Sequence, residues 1–311
     1  MRYDDFRRSD DIEDRRDDSG GGMLGGGGGM GLPMGGGGLG IGTIIVLGLI
    51  SYAFGIDPRL LIGGAEVLSG GGSSSSYQTD RGSGQVKKGA PTDEMGGMIA
   101  GILGEIDDRW NEEFQRRGQD WVGPKIVLFR NATNGGRCGM AESAMGPFYC
   151  PPDQKIFLDT GFFREVETRF RGCSGNACKF TAAYIIAHEA GHHVQNLLGI
   201  IPRVTRMQQQ VSKTDSNALQ VRVELQADCL SGVWVNREAK KRPDFLEAGD
   251  IDAALTTASA IGDDTLQRQA TGRVVPDSFT HGSAVQRKQW FTTGVRQGTV
   301  EACNTFERGA L

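Results

Sequence analysis

Three of the four histidines in this chain fall within six residues, His188-Glu189-Ala190-Gly191-His192-His193. The stretch contains H-E-x-x-H. On a helix, positions i and i+4 lie one turn apart on the same face. His188 and His192 can therefore offer two imidazole nitrogens to one metal ion, and Glu189 is placed to touch a water on that ion. Two His ligands, a carboxylate base and an open coordination position are the parts of a zinc hydrolase site. A five-letter pattern also arises by chance, so the flanks decide. Tyr184, Ile185, Val194, Leu197 and Leu198 recur at helical spacing, which predicts a helix with one buried face. Two His and a Glu with no task would destabilise such a helix. His193 points about 100° away around the axis and is expected to be structural or partly exposed.

Two His ligands need a third. Downstream, Val223-Glu224-Leu225-Gln226-Ala227-Asp228 sits in a helical pattern with apolar Leu219, Val223, Ala227, Leu230 and Trp234. Glu224 and Asp228 are again i and i+4. The spacing suits a second helix packed on the first, with Glu224 as a zinc ligand and Asp228 bonded to the far nitrogen of a ligand His, fixing its tautomer. An acidic face on an exposed helix is the bland alternative, and the apolar neighbours of both acids argue against it. The metzincin pattern, with a further His six residues after the second, fails because position 198 is Leu198.

Taken together, His188 to Gln195, Glu224 to Cys229 and Asp277 to Ser283 resemble the bacterial neutral zinc metallopeptidase family, whose members are similar to gluzincin peptidases at the site. The likeness extends to Gly146–Pro151 and to the charged start Arg8–Arg16. It implies a membrane-anchored, zincin-like metallopeptidase domain with Zn2+ held by His188, His192 and Glu224. It also makes His281 a candidate catalytic donor to the negative charge that builds on a carbonyl oxygen during amide hydrolysis. Equally, His281 could be a loop residue capping the next helix, where Ser283 could already serve as the cap. Tyr184 shares the face of His188 and is expected in the core.

The elements that must position these residues are mostly helical. Met95, Met98, Ile99, Ile102, Leu103, Ile106, Trp110 and Phe114 recur as one face of a long amphipathic helix. Residues 125–129 and 155–158 read as short strands, joined by an irregular Gly-, Pro- and Cys-containing loop. A further helix is expected at 160–170, the metal helix at 180–198 closed by Gly199 and Pro202, and a polar stretch at 203–220. The second motif helix spans 217–241, and two more helices lie at 250–261 and 283–296. This predicts α+β, mainly helical, with a small sheet beside the H-E-x-x-H helix. Strand 155–158 is a candidate to pair with an extended substrate.

Not all of the 311 residues suit one core. From Gly20 to Gly42, 15 of 23 residues are Gly, a poor composition for helix or strand. A second Gly/Ser tract starts at Ser69. Between the tracts, residues 39–56 carry no charge and are near the lower length limit for spanning a bilayer. Arg2, Arg7, Arg8, Arg15 and Arg16 precede this run, whereas Arg59 follows it. That bias predicts a cytoplasmic amino terminus and an extracytoplasmic catalytic domain. The expected order is a charged and Gly-rich tail at 1–38, a transmembrane helix at 39–56, a linker at 57–91 and a zinc peptidase domain at 92–311.

All six cysteines follow the apolar run, and none lies in C-x-x-C spacing. Six cysteines allow fifteen pairings. The short intervals favour Cys138–Cys150 and Cys173–Cys178, which leaves Cys229–Cys303. Such bonds persist in an oxidising compartment. A net charge of −4, with no basic stripe or stacking motif, gives no argument for nucleic acid. The expected partners are a peptide or protein substrate and membrane lipid. Two rival functions share the residues: a tethered interaction protein with a structural zinc, which has no need of Glu189, and a zinc amidase or esterase acting on cell-envelope material.

Overall fold

A computed structural model describes residues 1–17, 87–168, 173, 175, 177–307 and 309–310. The expected transmembrane helix at 39–56 lies outside these residues, as does most of the expected linker. Among the described residues no helix is long and apolar enough to cross a membrane.

The sheet is built from β1 (Ile12–Asp14), β2 (Lys87–Lys88), β3 (Lys125–Phe129), β6 (Phe148–Cys150) and β7 (Lys155–Asp159), in the order β2-β1-β3-β7-β6. β1, β3 and β7 run parallel, and β2 and β6 close the two sides antiparallel. β4 (Ala132–Asn134) and β5 (Met140–Glu142) form a separate hairpin. Side chains alternate across the sheet, as the period of two requires. Ile126, Leu128, Ile156 and Leu158 join the main helical core, while Val127, Phe129 and Phe157 pack with Ala141 and Cys150 on the other face.

The helices are α1 (Glu94–Arg116), α2 (Phe162–Thr168), α3 (Ala177–Leu197), α4 (Ile200–Gln208), α5 (Lys213–Lys241), α6 (Asp250–Ala260), α7 (Asp263–Thr271) and α8 (Ala284–Gln297). The class is α+β, mainly helical with a small sheet. The core lies where α1, α3, α5 and the sheet meet, around Ile99, Ile102, Trp110, Phe180, Tyr184 and Trp234. Three helix starts are capped by a side chain that the sequence supplies: Asp93 for α1, Ser212 for α5 and Ser283 for α8, the last as a full capping box with Gln286. Pro202 does not close the metal helix. It falls in the first turn of α4, where its missing N–H has no intrahelical partner to lose.

Strand 155–158 is not free for a substrate. β7 is hydrogen-bonded to β3 on one side and β6 on the other, and β6 is the rim of the sheet. The tail expected at 1–38 is not separate either, because residues 12–14 are a strand of this sheet and Phe6 and Ile12 are in its core. Both misreadings have one cause. Strand pairing is set by distant residues, and a three-residue strand leaves almost no periodicity to detect.

Candidate active site

The metal helix α3 lies against α5, and the closest approach is at the site itself. A Cβ on Gly191, between the two histidines, would lie 3.1 Å from the Ala227 carbonyl oxygen and 3.2 Å from its Cα. The absent side chain lets the H-E-x-x-H turn meet the E-x-x-x-D turn without crowding. α8 approaches α5 more closely still, where a Cβ on Gly294 would collide with the Cys229 carbonyl.

This packing brings His188, His192 and Glu224 together, with one ligand atom from each lying within 4.8 Å of the others. Glu224 Oε2 is 3.2 Å from His188 Nε2 and 3.5 Å from His192 Nε2. Tetrahedral zinc with bonds of about 2.0–2.1 Å places neighbouring donor atoms about 3.3 Å apart. All three residues are buried, as is Glu189. Three buried carboxylates (Glu189, Glu224 and Asp228) against the single guanidinium of Arg287 leave two negative charges, which one divalent cation would neutralise. The donor set and its charge both fit zinc.

The outer atoms of each ligand are held. His188 Nδ1 lies 2.9 Å from Asp228 Oδ1. Asp228 also accepts from the Tyr184 hydroxyl at 2.7 Å, from Arg287 Nε at 2.8 Å and from Arg287 Nη2 at 2.9 Å. His192 Nδ1 meets Gln195 Oε1 at 2.9 Å. The Gln195 amide donates to the Val223 carbonyl and to Gln226 Oε1, and Gln226 in turn donates to the Cys303 carbonyl. Gln220 donates to Glu224 Oε1 at 2.9 Å, which leaves Oε2 facing the histidines. With both Nδ1 atoms donating outward, the Nε2 lone pairs point to the metal position.

The electrostatics follow from burial working against charge. Burial opposes a proton on His188, but Asp228, Glu224 and Glu189 outweigh it and raise its pKa to about 10. Burial likewise opposes charge on His192, and Glu224 raises its pKa overall. Glu224 and Asp228 are held well below the usual carboxylate range, against their burial, by the histidines and Arg287. The site attracts positive charge strongly enough to take up protons where a cation would fit. Burial pushes Glu189 up, against the pull of His188 and His192.

His193 is structural, and fully buried. Its Nε2 lies 2.7 Å from the Val122 carbonyl, and the Tyr149 hydroxyl lies 2.8 Å from its Nδ1. A carbonyl can only accept, so Nε2 carries the proton and the ring is neutral. Burial accordingly lowers its pKa to about 4.

His281 does not cap α8; Ser283 does. Its Nδ1 lies 3.2 Å from Asp263 Oδ1, and Asp263 Oδ2 accepts from the backbone N–H groups of Thr280, His281 and Gly282. The side chain is 42% exposed. Burial lowers its pKa, but Asp263 and the charge of Glu224 raise it overall, so His281 is within electrostatic reach of the metal ligands. Sequence reasoning missed Asp263, Arg287, Gln195 and Gln220. One available signal was Gln195, at i+3 from His192. Gln220, at i−4 from Glu224 on the same helix, carried a similar signal, whereas Asp263 and Arg287 depend on loop and helix packing far along the chain.

The expected pairings Cys138–Cys150, Cys173–Cys178 and Cys229–Cys303 are all present as disulfides. The third ties the residue after Asp228 to the chain near its carboxyl end.

Comparison with known proteins gives the family. The chain is 42% identical over 306 residues to "Uncharacterized protein YpfJ" of Escherichia coli strain K12, covering 98% of this chain and 99% of the relative. It is 44% identical over 196 residues to "Uncharacterized protein Rv2575" of Mycobacterium tuberculosis strain H37Rv, covering 60% of this chain and 64% of the relative. No solved structure matches it. A family model described as "Putative neutral zinc metallopeptidase" matches residues 1–306. The chain belongs to this neutral zinc metallopeptidase family.

Proposed function

We propose that the chain is a zinc-dependent peptidase with a zincin-like domain, working outside the cytoplasm and held at the membrane through residues 39–56. The observation that carries the catalytic reading is the convergence of His188, His192 and Glu224 beside the buried carboxylate of Glu189. The three disulfides support an oxidising compartment.

When bound, zinc supplies an acidified water and polarises the scissile carbonyl. His188, His192 and Glu224 are the ligands. Glu189 accepts the water's proton and passes it to the leaving amine, and its raised pKa suits both transfers. His281, fixed by Asp263, donates a hydrogen bond to the carbonyl oxygen as negative charge builds there. Asp228 holds His188 in the tautomer that presents Nε2. An extended substrate lies along β6, which pairs only with β7 among the described residues. Tyr149 of this strand reaches the metal helix through His193.

The test is to incubate the full chain with a mixed peptide library, with and without a metal chelator, and to map products by mass spectrometry. The reading predicts peptide-bond cleavage that the chelator stops and zinc restores. Hydrolysis confined to cell-envelope amides or esters would replace the substrate class and keep the site.

A further inference from the structure

α1 carries Gly97, Gly101 and Gly104 on one face. Glycine inside a helix is destabilising by roughly 1 kcal/mol each relative to alanine, so three at this spacing call for something that lies against them. The chain's own beginning does. A Cβ on Gly97 would lie 3.3 Å from the Arg8 guanidinium, one on Gly101 would lie 3.0 Å from Phe6 Cβ, and one on Gly104 would run into the Arg7 carbonyl. The segment then continues into the sheet. Ser9 N–H donates to the Ala100 carbonyl at 2.9 Å, Ile126 N–H to Asp11 at 2.9 Å and Arg15 N–H to Leu128 at 2.8 Å. Phe6, Ser9 and Ile12 are buried.

The arginines that suggest a cytoplasmic tail are engaged in the same docking. Arg7 pairs with Asp108 and Arg16 with Asp93, and Arg15 donates to the Asn134 carbonyl at 2.9 Å. On the far side of the undescribed stretch, Lys87 and Lys88 pair with Asp14 and Glu13 of β1. The described segments on either side, ending at Asp17 and beginning at Lys87, are therefore neighbours in one sheet.

We infer that residues 1–17 and the catalytic domain occupy the same compartment, so that any membrane contact through residues 39–56 is made from one face. A single crossing would put about 30 Å of hydrocarbon between the two segments, where the structure has backbone hydrogen bonds. This replaces the orientation expected from the arginine bias, and it holds whatever the site hydrolyses.

The test uses the full chain in its own membrane. Asp4→Cys and, separately, Val285→Cys, both at exposed positions, are treated with a membrane-impermeant maleimide in intact spheroplasts and after lysis. The inference predicts that the two sites behave alike, both reactive in intact spheroplasts or both only after lysis. Reaction at Val285→Cys in intact spheroplasts with Asp4→Cys protected until lysis, or the reverse, would overturn it. A second measurement does not depend on the maleimide. Asp11 and Lys125 face each other, with Nζ 3.8 Å from Oδ1, next to the Ile12–Ile126 pair. Asp11→Cys with Lys125→Cys should form a cross-link in the membrane-bound chain under mild oxidation. Failure to cross-link in protein that keeps its three native disulfides would also overturn it.

Discussion

Arg287 grips Asp228 through two parallel hydrogen bonds, Nε to Oδ2 at 2.8 Å and Nη2 to Oδ1 at 2.9 Å. Both residues are buried, and Asp228 in turn fixes His188. A residue on the last long helix thus sets the aim of the first proposed metal ligand, nearly a hundred positions earlier in the chain.

Removing Arg287 should therefore destabilise the fold as well as the site. Arg287→Met leaves the Asp228 charge buried with one partner fewer, a loss of about 3–5 kcal/mol for a broken buried pair. Arg287→Lys cannot make the two-pronged contact and should fall between. Chemical denaturation with and without zinc measures both effects. Wild-type stability in Arg287→Met would show that the pair does not hold the site.

In the proposed site Glu224 and Asp228 have different tasks, and zinc affinity should separate them. Loss of a residue that orients a ligand costs about 10–100-fold in metal affinity, so Asp228→Ala should bind zinc weakly but measurably. Glu224→Ala removes a direct ligand and should bind less. Competition with a chromogenic chelator reads both. Tighter zinc binding in Glu224→Ala than in Asp228→Ala would reverse the roles.

Asp107 gives a pH dependence remote from the metal. Burial raises its pKa to about 7, although Trp121 Nε1 donates to it at 3.1 Å. An unfolded Asp ionises near about 3.9. Between those values the folded chain keeps a proton that the unfolded chain has lost. The stability this proton gives is full below the lower value, declines as pH rises toward 7 and is gone above it, at about 1.4 kcal/mol per pKa unit. Asp107→Asn keeps an acceptor for Trp121 and should remove that decline. Urea denaturation at about pH 5 and about pH 8 tests it, and an unchanged decline in Asp107→Asn would assign the effect to another group.

The helices that carry the metal residues were legible because each combines an apolar period of 3.6 with chemical residues at i and i+4. The observed α3 and α5 begin and end within a few residues of the expected spans. Short intervals suggested two of the disulfides, and the third, 74 residues apart, followed only as the pair left over. What was hidden had no local signal. Asp263 acts on His281 from 18 residues away, and Arg287 on Asp228 from 59. β1 is too short to show alternation, and the arginines on either side of it resemble a topology signal until their carboxylate partners are seen. The glycines of α1 were the available clue, since their cost in a helix implies a neighbour that local sequence does not name.

The most direct test of the catalytic account is a paired measurement on Glu189→Gln, with zinc content per chain on one side and peptide hydrolysis on the other. Glu189 is a base and not a ligand in this account. The variant should therefore hold about one zinc per chain, like the wild type, and lose turnover. His188→Ala and His192→Ala should lose both. Undiminished hydrolysis by Glu189→Gln, or loss of its zinc together with its activity, would contradict the mechanism.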